Sequence, residues 1–383
     1  MSEPEAIVWL CSWYPGPAHP LAGGFVARMA AAVAVRQPLH VLVVDDWAAG
    51  GPLVQRTEAD GLTVWRTSVR PRGKGARAGL RYYAAYLLAC RRLWAALPLS
   101  AAEVRLLHVH VVFPMGLFAY FLHHRTGLPY VITEHLTRLL PDRFSQYPFV
   151  VRRTIRRVAA AAAQLLPVGA SLEAAYRHLG VNTPSTVVPN VVDPALFYPA
   201  ATRADTFTFI HVSALTDAAK NVSGIIRAFH TFGVQYPATR LVIVGDGQDR
   251  KRLEYLAASG QVASRIEFLG QLSHRATAAE LRRAHVLVIF SHYETFSVVL
   301  AEALACGLPV ISTEHGGRTE WINRQTGRLV ARGDEAALAA AMADIYSHYA
   351  TFDTSAMRER VLAQCAPEAV ARQILRVYTD VRP

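Results

Sequence analysis

Cysteine is scarce in this sequence, with four residues in 383, at positions 11, 90, 306 and 365, and no two of them form a CxxC pair. That spacing excludes a zinc knuckle, an iron–sulfur cluster and a disulfide scaffold, and it suits a reducing compartment. A leader-like start is also lacking. MSEPEAIVWL carries two glutamates where a signal peptide carries lysines, and Trp13, Tyr14 and Pro15 interrupt the apolar run. Long apolar runs are missing too: the most apolar long window, Val104 to Leu122, contains His108, His110 and Pro114. It falls short of the ~20 uninterrupted apolar residues that a span needs. The expectation is a cytoplasmic protein without a transmembrane helix. Finally, acid is absent between Asp60 and Glu103, a stretch holding Arg66, Arg70, Arg72, Lys74, Arg77, Arg81, Arg91 and Arg92.

What is present is ample apolar material, 52% of residues against 18% charged, which rules out disorder for most of the length. A chain of 383 residues is too long for one ordinary domain and about right for two. The net charge of +11 points to an anionic partner: nucleic acid, a membrane surface or a phosphorylated small molecule. Positive charge is concentrated in the first half. The stretch above is interleaved with Tyr82, Tyr83 and Tyr86, and a second group, Arg138, Arg143, Arg152, Arg153, Arg156 and Arg157, with Phe144, Tyr147 and Phe149. Basic plus aromatic residues suit an anionic membrane surface. No nucleic-acid motif accompanies them, so nucleic acid is not expected as a partner.

Short β-branched runs alternate with Ala- and Leu-rich stretches of helical period, which is the pattern of parallel βα units. The first half offers strands at 7–13, 40–45, 62–69, 106–111, 130–133, 164–168 and 186–188. The second offers 206–213, 240–244, 266–269, 285–290, 309–312 and 328–330. Between the two series, residues 190–205 carry two prolines and no periodicity and read as a linker. The fold class is therefore α/β, two Rossmann-like domains, whose ligands belong outside the carboxyl ends of the strands.

The motifs fall at those ends. Gly23 and Gly24 follow the first strand and precede an Ala-rich helix, which opens helix amides to a phosphate. Lys220 follows the strand at 206–213, and Gly245-Asp246-Gly247 closes the next one. The richest segment runs from Phe290 to Gly317. Its helix starts near Thr295 or Ser297 as cap and stops at Gly307 ahead of Pro309. Every residue from Val298 to Ala305 is apolar except Glu302. A carboxylate in so buried a helix needs a specific partner, and Glu294, in the loop just ahead, addresses a neighbouring part of the same ligand.

These residues resemble the retaining glycosyltransferases of family 4, through nearly the whole chain. The resemblance covers Ser12-Trp-Tyr-Pro with Gly23-Gly24, His108-Val-His110 with Pro114-Met-Gly116, and Thr133-Glu-His135. It continues through Val188-Pro-Asn-Val-Val-Asp193 with Phe197, Lys220-Asn221, Val244-Gly-Asp-Gly247, the Glu-x7-Glu pair Glu294/Glu302, and Gly316-Gly317. It implies the GT-B fold, two Rossmann-like domains facing across a cleft. Residues 1–195 would bind the acceptor, 196–365 the nucleotide-sugar, and 366–383 would form a helix returning to the N-terminal domain.

It also implies transfer of a sugar from a UDP- or GDP-linked donor to a glycan or lipid-linked acceptor, as in bacterial cell-surface polysaccharide synthesis. The configuration would be retained, with no cofactor and no metal, by an enzyme in the cytoplasm or peripheral on the inner face of the plasma membrane. Carried over by position, Glu302 takes the donor ribose hydroxyls, Glu294 contacts the donor sugar and Lys220 binds the pyrophosphate. The amides of Ser297, Val298 and Val299 hold the distal phosphate, the Gly23, Gly24 and Gly245 turns face the donor, and His135 stands beside the sugar. One departure is Ser213-Ala214-Leu215 where the family has Gly-Arg-Leu; Arg318 or Lys251 would then have to supply the missing charge, or the enzyme is slow. A non-catalytic sugar-nucleotide-binding or regulatory protein is the alternative.

Overall fold

The computed structural model describes residues 6–17, 19–20, 22–45, 53–70, 73, 75–314, 317 and 319–381. The expectations for Arg72, Lys74, Gly316 and Arg318 fall outside them. The described chain forms two compact units, Met1–Val191 with Pro367–Pro383, and Val192–Ala366.

The first unit runs β1 (Ala6–Cys11), α1 (Gly24–Ala34), β2 (Leu39–Asp45), β3 (Gln55–Ala59), β4 (Leu62–Ser68), α2 (Ala76–Ala96), β5 (Val104–His110) and α3 (Met115–Thr126). There follow β6 (Tyr130–Glu134), α4 (Pro141–Phe144), α5 (Phe149–Ala160), β7 (Gln164–Pro167) and α6 (Ala170–His178). Its seven strands lie in the order β3-β4-β2-β1-β5-β6-β7, parallel apart from the antiparallel β3–β4 pair. Strand β6 is buried at every position, as a parallel strand covered on both faces must be. The β3–β4 hairpin was not expected, because β3 is a polar, wholly exposed edge strand, QRTEA. Its turn, Asp60-Gly61, has φ of 50° and 76°, the left-handed pair that a two-residue hairpin demands. Residues 186–188, expected as a strand, form no ladder: Thr186 and Val188 donate to Leu165 and Pro167, but Pro184 and Pro189 have no N–H to extend the pairing.

Crossovers in such sheets are right-handed, so strands added in one direction place their helices on one face. The steps β4→β5→β6→β7 all run the same way, which puts α2, α3 and α5 together; β1→β2 runs the other way and puts α1 opposite. Helix α2 meets the sheet with Tyr86, Ala89, Cys90 and Leu93, the i, i+3, i+4, i+7 face of a helix.

The second unit runs β8 (Phe207–Val212), α7 (Asp217–Lys220), α8 (Val222–Gln235), β9 (Thr239–Val244), α9 (Arg250–Ala258), β10 (Ile266–Gly270) and α10 (His274–Arg283). It continues with β11 (Val286–Ile289), α11 (Val298–Ala305), β12 (Val310–Thr313), β13 (Gly327–Val330), α12 (Glu335–Ser347) and α13 (Thr354–Cys365). Its sheet, β10-β9-β8-β11-β12-β13, is parallel throughout. The irregular segment expected as a linker packs into this unit from Val192 onward, with Val192 and Phe197 fully buried. It is fastened by guanidinium-to-carbonyl bonds, Arg358 donating to Pro194 and Phe197, and Arg203 to Ala284 and Gly307. The last helix, α14 (Pro367–Asp380), returns to the first unit and packs on α1.

Candidate functional site

Each sheet reverses its strand order once, and ligands of doubly wound sheets lie outside the carboxyl ends at that point. In the first unit the reversal is at β1/β5; in the second it is at β8/β11. The residues singled out in the sequence lie around these two places.

In the first unit, Gly23 caps α1 with φ 71°, and a Cβ there would meet the Trp13 carbonyl carbon at 2.5 Å, so only glycine fits. The first turn of α1 holds no acidic residue and no side-chain cap, so its leading amides have no helical acceptor. Phe25 on that turn packs against the His135 ring at 4.6 Å, which brings the Gly23-Gly24 turn and His135 together. His135 follows β6 and stacks on His110 at 5.8 Å; His110 lies 4.4 Å from His108 and 4.2 Å from Trp9. His108 Nδ1 is 2.5 Å from the Tyr378 hydroxyl of α14, which also accepts from Trp9 Nε1 at 2.9 Å. His108 Nε2 reaches Thr133 Oγ1 at 2.7 Å. Burial holds these imidazoles neutral: His108 and His135 are lowered to about 3, and His110 lies well below its ordinary value.

Glu134 is the residue that sequence reasoning missed here. Its buried carboxylate accepts from the amides of Val112, His135 and Leu136 and from the Tyr176 hydroxyl, at 2.8–3.0 Å. Burial raises its pKa against the pull of those four donors. The loop that carries His135 is pinned through it. The available signal was an acid closing a short strand directly ahead of His135. Beside the loop, at the carboxyl ends of β1 and β5, a cavity of about 340 Å³ is lined by Tyr82, Tyr83 and Tyr86 of α2, with Arg138 and Tyr147.

In the second unit, Lys220 ends α7 and Glu294 follows β11, and the two meet: Nζ to Oε1 is 2.5 Å, with Ser291 Oγ donating to the same oxygen at 3.0 Å. The His292 amide donates to Ala219 and fixes the two loops together. Ser297 caps α11 by position, with φ 59°, but its hydroxyl makes no cap bond and finds no hydrogen-bond partner among the described residues. Of the two expected caps, Ser297 holds the cap position but does not form the side-chain bond. Val298 and Val299 open the helix half-buried, and no acid occupies that turn. Glu302 sits further along α11, buried, and accepts from His274 Nε2 of α10 at 2.8 Å. His274 packs edge-on against Phe197 at 5.0 Å. It is the partner the buried carboxylate required, and its distance in sequence hid it.

Gly245 has φ 135°, and a Cβ would lie 1.8 Å from the Ser213 carbonyl, so the loops after β8 and β9 close only on glycine. Ala214 is exposed there. The neighbouring Arg250 pairs with Asp246 and Glu254, and Arg252 with Asp217; Lys251 is exposed on α9. Among the described residues no cluster of three His, Cys, Asp or Glu side chains has the geometry to hold a metal ion. No helix there is long and apolar enough to cross a membrane.

Comparison with known proteins supplies the family. Over 198 residues the chain is 34% identical to glycogen synthase of Mycobacterium tuberculosis, a match covering 50% of this chain and 48% of that one. It is 30% identical to N-acetyl-alpha-D-glucosaminyl L-malate synthase of Bacillus anthracis over 177 residues, 45% of each chain. The chain spans about half the length of the relatives it matches. Among solved structures, sucrose-phosphate synthase of Thermosynechococcus elongatus superposes with a TM-score of 0.79 at 22% identity over 98% of both chains. Anabaena HepE in complex with UDP and glucose gives 0.74 at 18% identity, covering 98% of this chain and 100% of that one. The fold is GT-B. Residues 24–196 match the model of Glycosyltransferase Family 4 and residues 197–360 that of Glycosyl transferases group 1, so the chain carries two glycosyltransferase family domains in succession.

Proposed function

We propose that the protein transfers a sugar, with retention, from a UDP- or GDP-linked donor to a glycan or lipid-linked acceptor. The observation that carries this reading is the Lys220–Glu294 pair at the strand-order reversal of the second unit, beside the start of α11. Lys220 and the amides at Ser297, Val298 and Val299 receive the diphosphate, because a helix start and a fixed cation both favour negative charge. Glu294 holds the donor sugar, Glu302 the ribose hydroxyls, and His135 stands by the sugar. The bond from the anomeric carbon to the phosphate oxygen breaks, and its electron pair leaves with the nucleoside diphosphate. The acceptor oxygen bonds on the same face, and its proton passes to the departing phosphate. Charge develops on the leaving group, so fixed positive groups there lower the barrier. The aromatic cavity of the first unit suits an acceptor. An anionic membrane surface is its setting if the acceptor is lipid-linked.

The relatives' names support the class: a glycogen synthase, a malate-linked glucosaminyl synthase, and a neighbour solved with UDP and glucose. The test is a panel of nucleotide-sugars in which slow donor hydrolysis is followed, with Lys220→Ala expected to lower it on the order of a hundredfold. The exposed Ala214 favours one second reading, a sugar-nucleotide-binding protein without turnover. Nucleotide binding with no hydrolysis of any donor would decide for it.

A further inference from the structure

The face of the first sheet covered by α2, α3 and α5 is unlike the rest of the molecule. These helices contain four arginines in α2, one in α3 and four in α5, nine in all, and not one Asp or Glu. Helix α3 packs against both others. Large apolar side chains are left exposed on the same layer: Leu80 and Leu88 on α2, Phe121 at 48% on α3, and Phe149 at 66% on α5. Between the carboxyl-terminal halves of α2 and α3 runs a groove of about 600 Å³, the size of a small-ligand site. Its walls are Leu87 and Trp94 from α2 and Phe118 and Phe121 from α3, each pair at helical spacing, and Arg91 and Arg125 stand at the rim. Both arginines are exposed, and neither makes an ion pair with a described residue. Helices of βα units run antiparallel to their strands, so this groove lies at the amino-terminal end of the sheet, opposite His135.

We infer that this layer seats on an anionic phospholipid bilayer and that the groove takes the acyl chain of one lipid, whose phosphate is held by Arg91 and Arg125. The apolar walls match the chain and the rim cations match the headgroup. A layer of a single sign over three helices fits a continuous anionic surface better than the mixed charges of a protein partner. The inference deepens the membrane setting of the proposed function by naming the face and the lipid site, and its test reads binding alone, so that it can fail while sugar transfer stands.

The full chain is mixed with vesicles of equal parts phosphatidylglycerol and phosphatidylcholine carrying brominated acyl chains, and tryptophan quenching and sedimentation are read together. Quenching is expected with these vesicles and not with pure phosphatidylcholine. Trp94→Phe should still sediment but lose most of the quenching. Phe121→Asp, and Arg91→Glu combined with Arg125→Glu, should weaken binding by about tenfold or more, each folded by circular dichroism. Inorganic phosphate at matched ionic strength should not displace the protein. Quenching unaltered by Trp94→Phe, equal binding to both vesicle types, no binding to either, or full displacement by phosphate would overturn the proposal. So would shielding of Trp94 in a concentration-dependent dimer, which would make a second copy the occupant.

Discussion

The polar interiors of the two units are built on opposite plans. In the first, three histidines and one glutamate are buried against each other and against Trp9, Thr133, Tyr176 and Tyr378, and Glu134 is saturated by four donors. In the second, Lys220–Glu294 is an ion pair and His274–Glu302 a hydrogen-bonded pair, with one partner 24% and 33% exposed. A saturated buried cluster holds geometry and is expensive to disturb. The carboxylates of these pairs are themselves largely buried, so each can leave its partner only for a ligand that supplies donors in its place. On the proposed reading, the first unit keeps a shaped surface and the second exchanges its internal pairs for the diphosphate and hydroxyls of the donor.

Acid should break this comparison hardest. His108 and His135 are lowered to about 3 and His110 well below its ordinary value, all by burial. A histidine depressed in the folded state binds its proton more readily when unfolded. Stability is therefore intact above the unfolded value of 6.5 and is lost as pH falls toward about 3. Each such group costs up to about 1.4 kcal/mol per pH unit below the unfolded value, so the loss steepens as the pH falls. In the second unit His211 and His285 are lowered only to about 4, which gives the same sign over a narrower window. Denaturant midpoints measured at stepped pH, with proteolysis to identify the unit that opens first, should show the first unit failing earlier. A flat profile would remove the argument.

Next in size is Glu134→Ala. It strands three amides and the Tyr176 hydroxyl inside the first unit and should cost about 3–5 kcal/mol in chemical denaturation. A loss under about 1 kcal/mol would mean the loop carrying His135 is held by something else.

How much of this was legible follows from the same contrast. Apolar strands announced themselves by their β-branched runs, and apart from 186–188, which the flanking prolines keep out of the ladder, only their ends moved by a residue or two; β3 did not, because an exposed edge strand needs no apolar residues, although Asp60-Gly61 was a hairpin signal in plain view. Lys220 and Glu294 stood out as charges at the carboxyl ends of strands, and they do meet. His274 could not be read, since nothing local ties the first turn of α10 to a carboxylate 28 positions later on α11. Glu134 was visible beside His135, but its work consists of accepting backbone amides, and backbone partners leave no mark on the sequence. The segment after 190 looked like a linker because its fastening comes from arginines at 203 and 358 bonding to carbonyls.

Glu302→Gln sharpens the second half of the comparison. If the carboxylate leaves His274 for ribose hydroxyls, UDP affinity by calorimetry should fall by about 1–3 kcal/mol while the fold stays intact. Combining it with His274→Ala separates the two roles: a cycle with no coupling in stability but full loss of affinity assigns Glu302 to the ligand. Unchanged affinity in a folded Glu302→Gln protein would sink the assignment.

The smallest expected effect is that of a chelator, and it tests whether carboxylates at the strand ends are spoken for. A metal-dependent transferase needs acids free to coordinate, and adjacent acids such as Asp45 and Asp46 at the end of β2 are the kind of pair that could serve; Asp46 lies outside the described residues. Asp45 is not free. Its Oδ2 lies 2.5 Å from Arg66 Nη1, both side chains are largely buried, and Arg66 also donates to the Pro15 carbonyl. Glu294 and Glu302 are likewise matched to Lys220 and His274. A divalent ion recruited to any of them would first have to displace a donor already in hydrogen-bond contact, while on the proposed reading Lys220 and the start of α11 neutralise the leaving diphosphate. Donor hydrolysis and transfer should therefore change by less than about twofold in excess EDTA, under 0.5 kcal/mol of barrier. Loss of activity in EDTA, restored by Mg²⁺ or Mn²⁺, would show that these pairs open to a metal and that the second unit's exchangeable charges serve an ion before they serve the sugar donor.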